Sequence, residues 1–170
     1  MNLKLSLIIS VFALWPCMSI ARQDSVSTIK EKDPEILVGE FARNDLQKGN
    51  FGDHFFYEYR KYIPEISVLD YLKNKIYNYD ITIVLATWCY DSQEQVPRFF
   101  KILDNINYNT NYLKIICVDK SKSAGEIDIS GLYIERVPTF IFYENNIEKG
   151  RIIETPESTL EKDIYNILYN

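Results

Sequence analysis

Three observations predict an α/β fold with a central mixed sheet and helices packed on both of its faces. Strand-like and helix-like segments alternate through the later part of the 170-residue chain, the pattern of layered α/β domains. The run Ile81 to Ala86 (ITIVLA) is nearly all apolar, as a strand covered on both faces requires. Directly behind it, Val96, Phe99, Phe100, Leu103 and Ile106 recur at helical spacing, so a buried strand feeds an amphipathic helix.

The first 21 residues stand apart from that domain. Leu5 to Trp15 form an apolar run behind Lys4, and Ser19-Ile20-Ala21 offers small residues at a cleavage spacing. A bilayer span needs ~20 apolar residues, more than this run supplies. Residues 1–21 therefore read as a secretory signal removed before Arg22, and the mature chain is expected to be exported, periplasmic or secreted, without an integral membrane segment. A lipid anchor on Cys17 is disfavoured, because Pro16 occupies the place of a small residue. Residues 22–34 are polar and charged and read as a flexible leader.

Residues 35–66 form an aromatic-rich N-terminal extension containing Phe41, Phe51, Phe55, Phe56, Tyr57, Tyr59 and Tyr62. Asn44 to Lys48 suits a short helix, and Asp53 would cap a second over Phe55 to Tyr62, ended by Pro64. Residues 67–170 are the main domain. Ser67 with Asp70 three residues on reads as a variant capping box, with Val68, Leu69, Leu72 and Ile76 at helical spacing behind it. After the central strand and its helix comes a strand at Tyr112 to Val118, then an exposed loop over Lys120 to Glu126. Ile127 to Tyr133 reads as a short helix or turn. Thr139 to Tyr143 and Ile147 to Ile153 pair as a hairpin about Glu144-Asn145-Asn146. Pro156 opens a last helix with Leu160, Ile164, Ile167 and Leu168 inward. The two strands flanking the long helix should be parallel neighbours joined by a right-handed crossover.

These residues give the chain a resemblance to the thioredoxin-like family, in particular to exported thioredoxin-fold proteins with a Trp-Cys-x-Asp-Ser monothiol motif. Trp88-Cys89 sits where the central strand meets its helix, and Pro97 follows the cysteine by eight residues. Val137-Pro138-Thr139 resembles the cis-proline loop that precedes a hairpin. The resemblance covers Ser67 to Asn170 and implies a thioredoxin-like three-layer α/β/α fold with a central mixed sheet, preceded here by the helical extension. Three departures bear on activity. Ser92 replaces the second cysteine of the motif, Ile83 stands where thioredoxins place a buried acid, and Glu154 enters a stretch that in thioredoxins holds a glycine near the substrate groove.

The candidate catalytic residues are Cys89 and Ser92. A free cysteine ionises near pH ~8.5, and the thiolate is the nucleophile. A helix N-terminus favours negative charge there through its unpaired N–H groups and its dipole. Ser92 is expected to point its hydroxyl at the sulfur, while Asp91 opposes the charge. Such a sulfur attacks a disulfide to give a mixed disulfide, and Ser92 cannot resolve it. What remains is thiol exchange of the isomerase or mixed-disulfide-reductase type. Trp88, Tyr90, Val137 and Pro138 are the candidate substrate-binding residues, with the Val137 backbone positioned by a cis bond to pair with an extended peptide. The alternative is a non-catalytic protein-binding module that keeps the groove and lacks the chemistry.

Other readings exclude function classes. Loss of the signal at 1–21 removes Lys4 and leaves 18 basic against 24 acidic side chains, a net charge of 18 − 24 = −6. With no basic cluster to offset it, nucleic acid is not an expected partner. Client protein thiols or disulfides, or a low-molecular-weight thiol, are. Cys117 lies inside a strand and reads as a small apolar core residue. His54, the only histidine, belongs to an amphipathic helix, and one histidine with two separated cysteines makes no metal site. No phosphate loop is present among the six glycines, and no cofactor is implied. Glu94 and Arg98 read as an ordinary surface pair four residues apart.

Overall fold

The computed structural model describes residues 36–170; the expected signal at 1–21 and leader at 22–34 lie outside the described residues. Five strands form one sheet: β1 (Gly39–Glu40), β2 (Asp80–Leu85), β3 (Lys114–Cys117), β4 (Thr139–Glu144) and β5 (Ile147–Ile153). Their spatial order is β1-β3-β2-β4-β5. β2 and β3 are parallel, and the other three pairings are antiparallel. The helices are α1 (Arg43–Leu46), α2 (Gly49–Lys61), α3 (Ile66–Lys75), α4 (Tyr90–Asn105) and α5 (Leu160–Tyr169). Helix α4 connects the parallel pair. This is a thioredoxin-like α/β fold with a mixed sheet and an N-terminal helical extension.

The sheet register explains where a site can form. Val84 pairs with Ile116 on one side and with Thr139 on the other. The C-terminal end of β2 therefore lies beside the start of β4, so residues just after β2 meet residues just before β4.

Period-2 alternation assigns each strand residue to a face. Ile81, Ile83, Leu85, Ile115, Cys117, Phe140, Phe142 and Ile152 join one buried cluster. Into the same cluster go Phe51 and Phe55 of α2, Leu69 and Leu72 of α3, Val96, Phe99, Phe100 and Leu103 of α4, and Leu160, Ile164 and Leu168 of α5. The opposite face presents Val84, Ala86, Ile116 and Val118. Its outer layer is thin, made of the irregular segment 119–136 with one 3-10 turn at Ser130–Leu132. Ala124, Ile127, Ile129, Leu132 and Ile134 of that segment cover it.

Several boundaries differ from those expected. α2 begins at Gly49, whose φ is +57°, and not after Asp53. Gly52 makes the tight entry possible, since a Cβ there would lie 2.6 Å from the Gln47 carbonyl. α3 starts at Ile66 with Glu65 as N-cap, and Ser67 donates its hydroxyl to Glu65 without capping the helix. Glu65 is fixed by its own N–H, which donates to Glu161 at 2.8 Å. α5 starts at Leu160, with the Thr159 hydroxyl accepting from Lys162 N–H, so Pro156 precedes the helix without opening it. The hairpin turn is as expected, with Asn145 and Asn146 both at positive φ, the conformation of a tight two-residue turn.

Glu94 and Arg98 are more than a surface pair. Arg98 also binds Glu58 of α2, with nitrogens 2.6 and 2.9 Å from one carboxylate oxygen, while Glu94 lies at 2.6 Å. A second tie, further along α4, brings in α1 as well as α2. Arg43 grips Asp104 bidentately at 2.7 and 2.6 Å, and the Tyr59 hydroxyl donates to that carboxylate at 2.6 Å. Burial works against the Asp104 charge, but the Arg43 and Tyr59 hydrogen bonds outweigh it and hold the carboxyl below its ordinary range. The aromatic extension thus clamps α4, the helix that carries the candidate cysteine at its head.

Candidate functional site

Cys89 is the N-cap residue of α4, in extended conformation with φ −90° and ψ 128°. Its N–H donates to Ala86 O and its carbonyl accepts from Gln93 N–H, each at 3.0 Å. The turn between β2 and α4 is braced further at Thr87. The Thr87 hydroxyl accepts from Leu37 N–H at 3.2 Å, and its carbonyl accepts from the Gln93 side chain at 2.9 Å. Cys89 is half-buried and packs against the thin-face cluster. Its S–H donates to the Val137 carbonyl at 3.2 Å. The Val137–Pro138 bond is cis. The structure thus joins the two candidate segments of the sequence, Trp88-Cys89 and Val137-Pro138, through one contact.

The remaining candidates occupy distinct positions. Trp88 is half-buried on the thin face, its indole N–H donating to Val118 O at 3.2 Å. Tyr90 is 71% exposed. Val137 and Pro138 are buried side chains, so what they offer a partner is backbone. Ser92 differs from expectation. It is fully buried, and its hydroxyl oxygen accepts from Ala86 N–H at 3.2 Å. Ser92 therefore ties the helix to the end of β2, and the sulfur's hydrogen bond goes to Val137 instead.

Cys117 is fully buried, with its side chain in the helical-face cluster, whereas Cys89 packs on the thin face. Both cysteines are free. Burial pushes the Cys117 thiol up to about 12. It is a core residue and no partner for Cys89. Ile83 is also fully buried on the helical face. His54 lies half-buried in α2, and among the described residues no group of histidine, cysteine and carboxylate side chains could hold a metal.

Glu154 is better placed than its sequence position suggested. Its φ of +58° is the left-handed region that favours glycine. Its N–H donates to Pro138 O at 2.7 Å, tying the end of β5 to the cis-proline loop. Its carboxylate is drawn onto Arg136 at 2.7 Å. Arg136, Thr87 and Leu37 escaped the sequence reading. Arg136 had a signal, being a charge immediately before the Val-Pro pair. Leu37 had none, since its role is a backbone N–H.

No protein-family model matches the chain, and no characterised protein matches its sequence. Among solved structures, a Pseudomonas aeruginosa protein of unknown function is similar at 14% identity, over 71% of this chain and 83% of that one, with a TM-score of 0.50. A thioredoxin of Arabidopsis thaliana in its oxidised state aligns at 19% identity over 62% of this chain and 86% of its own, with a TM-score of 0.39. The mitochondrial thioredoxin 3 of Saccharomyces cerevisiae aligns at 18% identity over 64% and 98%, with a TM-score of 0.38. Such identities speak to fold alone. The class is defined by the strand order and the cis-proline loop: a thioredoxin-like domain carrying one cysteine at the head of its long helix.

Proposed function

We propose that the chain is a monothiol thiol-disulfide exchange protein in which Cys89 is the nucleophile. The observation that carries this reading is the contact of Cys89 Sγ with Val137 O at 3.2 Å, at the head of α4 and beside a cis proline. Cys89 is half-buried at a helix start, and the first-turn N–H groups and dipole of a helix suit negative charge at its head. The Cys89 thiolate attacks a disulfide sulfur of a client, one S–S bond forms, one breaks, and the client's second sulfur leaves as thiolate. Ser92 supplies no resolving thiol, so a second client thiol or a low-molecular-weight thiol completes the cycle. Chemistry of this kind is isomerisation or mixed-disulfide reduction. Export of the mature chain to an oxidising compartment fits it, and forms part of the proposal.

Two observations favour a binding module instead. Ile83 puts an aliphatic side chain where a proton-transferring acid would assist exchange, and Ser92 is committed to Ala86. Both readings use the same groove and differ in whether the sulfur reacts. Alkylation of Cys89 followed against pH separates them. A rate that rises to a plateau with a midpoint below pH ~8 supports exchange, and an inert sulfur leaves the binding module. Ser92→Cys is expected to gain an internal disulfide with Cys89 and insulin-reducing activity. A variant that stays reduced under oxidant overturns the motif geometry.

A further inference from the structure

Cys89 is the last residue of a β-turn that begins at Ala86, closed by the Cys89 N–H on Ala86 O at 3.0 Å. The peptide unit at the middle of a turn, here Thr87–Trp88, is the one free to rotate, since type I and type II turns differ by its flip. A full flip would carry Trp88 to positive φ, which a bulky residue resists. Smaller rotations meet no such penalty, and they move the cysteine that follows. Gln93 is placed against them. It is half-buried, the fourth residue of α4. Helical side chains lean toward the N-terminus, which brings its amide back over the turn. Its Nε2 donates to Thr87 O at 2.9 Å, and its backbone N–H donates to Cys89 O at 3.0 Å. One residue thus grips the chain on either side of Trp88.

The other braces act elsewhere. Ser92 holds the Ala86 N–H, Leu37 N–H holds the Thr87 hydroxyl, and the Trp88 indole is on Val118 O. None of these three reaches the Thr87 carbonyl. Thr87 is 2% exposed, so water is a poor substitute for the Gln93 amide. The sulfur held by this turn stands 3.2 Å from Val137 O. Small errors of alignment between reacting atoms cost rate steeply. We propose that Gln93 is a positioning residue for exchange. Through the Thr87 carbonyl it fixes the turn that sets Cys89 against Val137, so that a client disulfide lying along the cis-proline loop meets an aligned sulfur. The inference rests on the exchange reading and adds a residue from outside the cysteine motif.

The test uses the full chain with Cys17→Ser and two probes of Cys89. Iodoacetamide is small and needs only a thiolate. A neutral alanine-rich peptide, its one cysteine held as a disulfide with thionitrobenzoate, needs the sulfur aligned as well. Attack by Cys89 forms the protein–peptide disulfide and expels thionitrobenzoate, whose absorbance gives the rate, and mass spectrometry locates the adduct. Gln93→Met keeps the length of the side chain and loses the donor, while the backbone N–H on Cys89 O stays. Both rates are read on the pH plateau of alkylation, where ionisation is complete. Peptide transfer is expected to slow about fivefold, the rate equivalent of one ordinary hydrogen bond, and the iodoacetamide rate to change by less than about twofold. Gln93→Lys, which returns a donor, is expected to recover most of the loss. Parallel changes in both rates, no change in either, or a lysine variant as slow as the methionine one overturn the inference and leave exchange standing. Absence of transfer to Cys89 in the chain that keeps Gln93 overturns the exchange reading and this inference with it.

Discussion

The two faces of the sheet are built on different principles. The helical face buries side chains from α2, α3, α4 and α5 in one continuous cluster, with Phe99 stacked on Phe140 at 4.6 Å. The other face holds a small cluster under irregular chain and one 3-10 turn. Cys89 emerges on the thin side although its helix is anchored on the thick side. Interdigitated helices resist deformation. A cover of loops yields more easily and leaves the sulfur within reach. The candidate site thus combines a rigid support with a light cover.

Adjacent residues of β3 put this contrast to a direct test. Ile115 faces the helices at 2% exposure and Ile116 faces the loops at 0%. The same truncation to alanine therefore samples both faces from one strand. Burial is equal, so the transfer cost is equal, and what differs is how far the surroundings collapse around the void. Ile115→Ala is expected to cost about 4 kcal/mol and Ile116→Ala about 2–3, within the span measured for buried aliphatic truncations. Urea denaturation of the two variants measures both values. Equal costs, or the reverse order, would show that the loop cover is packed as firmly as the helices.

The same contrast explains what the sequence disclosed. β2, α4 and the β4–β5 hairpin were legible because burial imposes a period and Asn145-Asn146 marks a turn. The cis-proline loop and Cys89 were legible as motifs. β1 was not, because two residues show no period, and Gly39–Glu40 enters the sheet through backbone pairing with Cys117 and Ile116. The starts of α3 and α5 were misjudged for a related reason. Ser67 and Pro156 are good local signals, but Glu161 and Thr159 supplied the bonds that fixed the ends. At the site, the Glu154–Arg136 pair joins residues far apart in the chain, and no local pattern announces such a partner.

A smaller effect is expected where the extension grips α4. Arg43 and Asp104 are 20% and 30% exposed, so the pair is screened less than a surface bridge and more than a core one. Arg43→Ala is expected to cost about 2 kcal/mol, since it leaves a partly buried carboxylate short of its donors. The pH dependence gives a sharper reading. Asp104 is held below its ordinary range in the folded chain, so its contribution is present above the unfolded pKa of ~3.9 and is lost as pH falls through the folded value. Without Arg43, burial acts on Asp104 with less to oppose it, and its folded pKa rises. The loss of stability below pH ~4 should then become shallower in the variant than in the wild type. An unchanged acid limb would mean that the guanidinium does not control this carboxylate.

The smallest predicted change in stability lies on the thin face, at the residue next to the sulfur. Trp88 donates its indole N–H to Val118 O at 3.2 Å and packs on the cluster beneath Cys89. Trp88→Phe keeps an aromatic ring, removes that donor and leaves the carbonyl without it. The expected cost is about 1 kcal/mol, the net worth of one ordinary hydrogen bond. The effect on the sulfur should be larger than the effect on the fold. With the ring no longer pinned to the end of β3, the light cover loosens, and the alkylation rate of Cys89 should rise while the denaturation midpoint moves little. A rate that falls in step with stability would place Trp88 among the rigid supports and erase the distinction between the two faces at the point where the candidate chemistry takes place.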